Sequence, residues 1–481
     1  MGQFREKSLK LNMVLNAVKG LMGIIFPLIS FPYVSRILGV ENIGKYNFAN
    51  SIVSYFILIA ALGIVTYSVR DGAKLREDKE KFKHFADEMF TINIISSVVA
   101  YILLFVLMLI VPKFHEYTGL LLIFSLQIIF KTIGIDWIYS IYEDYAYITI
   151  RSIVFQVLSL VMLFLFVKTE DDLLKYVGVT VFANAGSNIF NYIHSRKYCK
   201  VWFTTKIDWK RHLKPIFVLF AMNITITLYA SSGTTILGFL SGDYAVGIFS
   251  VSAKVYAILK TVLSSVLIVS IPRLSAIYGK KDFSQFNEVS SDIYSTLITL
   301  VFPTMVGVIL LIEPIVLIIS DETFITATSS LFWLSLSLIV WFGAAFWGQC
   351  VLVPANQENT VLKATIASAL SNIIICLLLV PYLDEDAAAI GTLVAEGIAF
   401  IWCIAAGRKY VKLIGVWKTI LKVIVGCIPM IVFILVLKML NLNMWFFTVL
   451  SVGGGAGIYF IVEILLKNNA VWGIIKKILK R

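Results

Sequence analysis

The chain has 481 residues, 59% of them hydrophobic and 15% charged, with a mean hydropathy of +0.89 and a net charge of +12. A soluble protein of ordinary make-up carries about 25% charged residues, so this composition excludes a water-soluble globular domain. Crossing a hydrocarbon core takes about 20 apolar residues per helix, and fourteen such runs are present, near 11–32, 46–69, 87–112, 118–138, 147–167, 173–195, 215–240, 244–270, 288–313, 326–351, 360–382, 386–407, 418–438 and 443–465. The loops between them are too short to fold separately. The expectation is an all-α polytopic membrane protein of about fourteen helices, without a cleavable signal peptide, because the first run is too long and lacks an A-x-A-like end.

In chain order, the first run places Asn12, Asn16, Lys19 and Gly23 on one helix face. A turn punctuated by Gly39 and Gly44 follows, and the second run opens with a polar stripe of Asn47, Asn50, Ser51 and Ser54. Asp136 ends the fourth run and Arg151 opens the fifth, close enough in a tight hairpin to form an ion pair. The sixth run adds Asn184, Asn188 and Asn191, and the seventh repeats the stripe with Asn223, Thr227, Ser231 and Thr234. The eighth carries Ser250, Lys254, Lys260, Thr261 and Ser265. Lys254 lies ten residues in, or about 15 Å at 1.5 Å per residue, near the mid-membrane plane. Glu396 is central in the twelfth run, and GGGAG (453–457) interrupts the fourteenth.

Polar side chains of this kind either bond helices together or line a water-filled cavity. An ionisable group at depth costs about 2.5–3.5 kcal/mol on insertion scales, so Lys254 and Glu396 call for a cavity or a partner. Two readings of Glu396 stand side by side: it binds H+ or Na+, or it neutralises a cavity lysine. More buried cations than anions favour an anionic ligand, and a diphosphate accepts charge-assisted hydrogen bonds from ammonium groups.

An internal repeat organises these features. Gly39-x4-Gly44-x-Tyr46 is echoed by Gly242-x4-Gly247-x-Phe249 at a shift of 203 residues, and Arg70 falls on Arg273 at the same shift. With a small slip, Trp137 matches Trp347. The division expected is an N-terminal lobe over 1–200, a second copy over 201–410, and an added helix pair with a basic tail over 411–481. Two such bundles with substrate between them is a transporter plan.

Placing the N-terminus in the cytoplasm puts 29 of the 41 Lys and Arg residues in inside segments and 6 in outside loops, so the positive-inside rule sets both termini in the cytoplasm. That bias also accounts for the net charge, and no nucleic-acid partner is expected. The five cysteines (Cys199, Cys350, Cys376, Cys403, Cys427) lack metal-ligand spacing and read as apolar fillers. The four histidines (His84, His115, His194, His212) stand isolated in loops or at helix ends.

The segments RILGVENIGKYNFANSIVSYF (36–56), LGIVTYSVRDGAKLRED (62–78) and GIDWIYSIYEDYAYITIRSI (134–153) resemble the Wzx-like polysaccharide flippases, the O-antigen and capsule repeat-unit transporters of the multidrug/oligosaccharidyl-lipid/polysaccharide exporter superfamily. The resemblance implies two six-helix lobes in a V shape plus two C-terminal helices. It also implies movement of an undecaprenyl-diphosphate-linked oligosaccharide from the inner to the outer leaflet by alternating access, with ion-gradient coupling. Under it, Lys254, Lys260, Lys19, Asn16, Asn47, Asn50 and Asn223 are candidate cavity and diphosphate contacts. Glu396 and Asp136 are candidate ion-coupling groups, and Asp136 with Arg151 an inner-side pair. Polysaccharide polymerase and glycosyltransferases are candidate partners, alongside membrane lipids. Neither metal nor cofactor is expected, and both G-x4-G turns lack the following Lys-Ser/Thr of a P-loop.

The related lipid II flippases usually open their first span with arginines, where LNMVLNAVKGLMG (11–23) has only Lys19 charged. Drug exporters of the superfamily usually have twelve spans and more mid-membrane carboxylates. A membrane polymerase or glycosyltransferase needs acid–base or metal-binding groups, usually on a sizeable loop, and no such loop is present. A carrier rather than an enzyme is expected.

Overall fold

A computed structural model describes residues 9–473, with the backbone alone for 9–19 and 21. Among the described residues every regular element is a helix. In hydrocarbon each backbone N–H and C=O must find its partner within the protein, and a helix achieves this locally. Ile102, Val106, Leu109 and Ile110 of Lys79–Ile110 stand exposed, which is tolerable only against lipid.

Among the described residues, ten helices are long and apolar enough to cross a membrane. Two of these are double. Leu9–Ala61 breaks at Gly39 (φ 72°), and Glu358–Gly407 breaks at Asp384 (φ 43°). Thr118–Gly134 and the run 173–195 bring the crossings to fourteen. The latter is built of Leu173–Val181, a π-helical turn Phe182–Gly186 and Asn188–Ser195. The fourth crossing stops at Ile135, whose left-handed backbone (φ 39°) redirects the chain into the short helix Asp136–Ile141, so Asp136 starts a new helix instead of ending the old one.

The described chain divides into two compact units, one reaching residue 238 with 242–247, the other holding 239–241 and 248 onward. The seventh crossing, Trp209–Leu240, therefore packs almost wholly with the first unit. The division expected at 200 and 410 follows the repeat, a different criterion from packing. Tyr67, Phe82, Phe85, Trp137, Ile138 and Ile216 form part of the first unit's core. In the second, Leu311, Cys427, Met430, Ile434 and Tyr459 join the last two helices, Val416–Met439 and Met444–Leu465, to Phe283–Leu310. Within GGGAG, a side chain at Gly454 would collide with the Phe433 ring, and Gly455 lies against Met430 and Ile434. These glycines let two helices approach closely.

The two glycine turns share geometry. Gly39 and Gly242 both adopt the left-handed region (φ 72° and 87°), which costs glycine little and other residues more. A side chain on Gly44 would overlap the Asp243 carbonyl, and one on Gly247 would overlap the Val40 carbonyl. Those four positions exchange under the 203-residue shift, so the contact is reciprocal. The helices that follow are capped alike: the Asp78 carboxylate accepts from Lys81 N at 3.1 Å, and the Asp282 carboxylate from Gln285 N at 3.0 Å.

Candidate functional site

The polar stripes of the second and seventh crossings meet within the first unit. Ser51 Oγ lies 3.0 Å from Thr235 Oγ1, Ser54 Oγ 3.3 Å from Ser231 Oγ, and the Tyr55 hydroxyl 3.0 Å from Thr235. Much of this stripe bonds helix to helix. Asn47 is half-buried and donates to its own helix at Ile43 O (2.8 Å), Asn50 is exposed, and Asn223 is half-buried. The side chains of Asn16 and Lys19 lie outside the described residues.

Also in this unit, Arg151 Nη2 lies 3.7 Å from Asp136 Oδ1, with the arginine side chain 9% exposed and the aspartate 49%. Arg151 Nη1 donates to Ser187 O at 3.4 Å, and its guanidinium stands 6.0 Å from the Tyr147 ring centre. The Asn191 amide donates to Asp136 as well. Gly134 makes room here, since any side chain on it would strike Asn188.

In the second unit, Lys260 Nζ donates to Glu396 Oε1 at 3.0 Å, joining the eighth and twelfth crossings. The carboxylate side chain is 7% exposed and the lysine 23%. The Tyr256 hydroxyl donates to the same oxygen at 3.4 Å. The ammonium also stands 4.9 Å from the Tyr256 ring centre and 5.1 Å from that of Trp341, where ring quadrupoles attract a cation. Glu396 thus sits directly against a lysine, the arrangement that the second of its two readings describes. Lys254 is half-buried on the same helix.

Three of the four histidines, expected to stand isolated, meet side-chain partners. His212 is fully buried, its Nδ1 2.8 Å from the Tyr67 hydroxyl and its Nε2 3.1 Å from Glu88 Oε2. His84 approaches the same carboxylate oxygen at 3.2 Å, and the His194 ring stacks 3.9 Å from that of Tyr147. Tyr67 and His212 are 145 residues apart, and no spacing rule connects them. The five cysteines are buried and free of disulfides, and burial pushes the thiol of Cys199, in the loop before the seventh crossing, up to about 11. Such a thiol is inert near neutral pH.

Fourteen crossings define a multi-pass, all-helical membrane protein. The fold is similar to a solved structure titled "Lipid II flippase MurJ, inward closed conformation", with a TM-score of 0.71 and 16% identity over 95% of this chain and 99% of that one. An inward-facing multidrug resistance MATE family transporter of the MOP superfamily aligns with a TM-score of 0.58 and 15% identity, over 85% of this chain and 99% of that one. At these identities the likeness is one of fold. In sequence, the chain is 26% identical over 272 residues to the "Putative O-antigen transporter" of Escherichia coli (strain K12), a match spanning 56% of this chain and 65% of that relative, less than two thirds of its length. Residues 9–278, more than half of the chain, match the family described as "Polysaccharide biosynthesis protein". The chain belongs to the polysaccharide biosynthesis protein family.

Proposed function

We propose that the protein is a flippase carrying undecaprenyl-diphosphate-linked oligosaccharide repeat units from the inner to the outer leaflet of the cytoplasmic membrane, by alternating access coupled to an H+ or Na+ gradient. Both termini are then cytoplasmic, and the polymerase and glycosyltransferases of the same assembly line are its partners. The observation that carries the reading is the pair of cations at depth on one helix, Lys254 and Lys260, in a chain of this family. The diphosphate head meets Lys254, Lys260 and Lys19, with Asn16, Asn47, Asn50 and Asn223 along its path, while the polyprenyl tail stays in lipid. Lys260 is held in readiness by Glu396. Glu396 and Asp136 are the carboxylates available for coupling.

Lipid II is the second reading, favoured by the TM-score of 0.71 to its flippase and disfavoured by the single charge in 11–23. Proteoliposomes loaded with labelled lipid-linked oligosaccharide or labelled lipid II, scored for outer-leaflet exposure, separate the two. Loss of one charge-assisted hydrogen bond costs about 1.5–3 kcal/mol, so Lys254→Ala weakens apparent cargo affinity by about 10- to 100-fold and Lys254→Arg restores much of it. Unchanged transport by the alanine variant at equal expression removes Lys254 from the head-group site.

A further inference from the structure

The helix Trp209–Leu240 begins in a cluster that the flippase reading does not use. His212 is joined to the second crossing's extension, Ile64–Gly72, through Tyr67, and to the third crossing through Glu88. The loop before it adds Asp208 N, which donates to Glu88 Oε1 at 2.9 Å. The charged and titratable groups around this centre are Arg70 and Asp71, which pair with each other at 2.8 Å, then His84, Asp208 and Arg211. The Tyr67 and Phe85 rings close the sides, their centres 5.6 and 5.8 Å from that of the imidazole.

Glu396 meets Lys260 and Asp136 meets Arg151. Glu88 instead meets two imidazoles on one oxygen, and an imidazole changes charge in the physiological range. With a single proton on Nε2, His212 donates to Glu88 and accepts the Tyr67 O–H on Nδ1. With a second proton on Nδ1, the ring is an imidazolium against the Glu88 carboxylate, and the Tyr67 oxygen accepts. Both ring nitrogens stay hydrogen-bonded in either form, so a proton can enter without orphaning a ring nitrogen. A route exists as well, because His84 is 61% exposed while bonded to the same Glu88 oxygen. Solvent, His84, Glu88 and His212 form one chain of contacts.

We infer that Glu88, His212 and Tyr67 form a proton-binding site fed through His84, and that its occupancy sets how the foot of Trp209–Leu240 is held. The site does not depend on the flippase reading. Its role as the coupling site, with H+ as the ion, rests on that reading.

Four histidines in the chain make the site accessible to nitrogen NMR of the full-length protein in lipid nanodiscs, with rings assigned by single His→Gln changes. Lowering pH from about 8 to about 5, where imidazoles titrate, should convert the His212 ring from a neutral tautomer to the doubly protonated form. Glu88→Gln should abolish that conversion, and the exposed His84→Gln should slow its proton exchange without disturbing the fold. A His212 ring that keeps one form throughout, or converts identically in Glu88→Gln, overturns the site. Proteoliposomes with an imposed proton gradient test the role: the gradient should accelerate oligosaccharide transport by wild type and leave His212→Gln at its gradient-free rate. Equal acceleration of the variant overturns the coupling role. Transport by neither protein, with the NMR conversion intact, sinks the flippase reading and leaves the proton site standing.

Discussion

In the first unit the Asp136–Arg151 pair buries its cation and leaves its acid half in the open; in the second the Lys260–Glu396 pair buries its acid and leaves the lysine partly reachable. Arginine is charged at every relevant pH and disperses that charge over a plane. Arg151 uses the plane to bond Ser187 O and Asp136 and to face Tyr147, so it ties the fifth and sixth crossings together. Lys260 is a point charge on a flexible stem, held by one carboxylate and two ring faces. It can leave one anion for another with little rearrangement. The first arrangement suits a strut and the second a contact that is exchanged.

The largest effect expected from this contrast is on Glu396. Removing one member of a buried pair leaves an uncompensated charge and costs about 3–5 kcal/mol, whereas replacing both by apolar residues is often neutral. Glu396→Ala should destabilise the protein by about that amount in unfolding measurements in micelles, and Lys260→Met combined with Glu396→Met should recover most of it. The double variant should nonetheless lose oligosaccharide transport. Equal destabilisation by the single and double changes would show that shape, not charge, matters at this position, and the contrast with Arg151 would collapse.

A middling effect is expected at Trp341, whose ring lies 5.1 Å from the Lys260 ammonium. A partly desolvated cation–π contact contributes about 0.5–2 kcal/mol. Trp341→Leu keeps an apolar side chain but no quadrupole, and should lower stability by that range in the wild-type background. In the Lys260→Met background the electrostatic share should vanish, and the coupling energy of this double-mutant cycle is the measurement. A coupling indistinguishable from zero would reduce the Trp341 contact to packing.

Hydropathy alone carries the class of fold, because lipid demands long apolar helices whatever their partners. The glycine turns were legible too, since a left-handed backbone leaves a mark in residue type, as Gly39 and Gly242 do. The Asp136–Arg151 pair could be read because a short hairpin brings neighbours together. Other features were hidden for a physical reason: periodicity names a helix face but not the helix it meets. Thus the stripes of the second and seventh crossings were visible, while the meeting of Ser51 with Thr235 and Ser54 with Ser231 was not. Lys260 and Glu396 are 136 residues apart, and the sequence left two roles for the carboxylate open. His212 looked like an ordinary polar residue at a helix start, because its partners come from two other helices. Trp341 lay in an apolar run and gave no polar signal at all.

The smallest effect belongs to Asp136. Its side chain is half exposed, its distance to Arg151 is 3.7 Å, and the arginine keeps its bond to Ser187 O when the acid is neutralised. Solvent screens such a pair, and exposed ion pairs contribute about 0.2–1 kcal/mol. Asp136→Asn should therefore cost less than about 1 kcal/mol, because the amide can still accept from Asn191 and from the guanidinium. Arg151→Met removes the plane that joins two crossings and should cost more, which reverses the order in the second unit, where losing the acid does the greater harm. Unfolding of these two variants under the conditions used for Glu396→Ala decides it. A loss at Asp136→Asn as large as that at Glu396→Ala would mean that both acids are anchors, and that exposure is a poor guide to which member of a membrane-embedded pair bears the load.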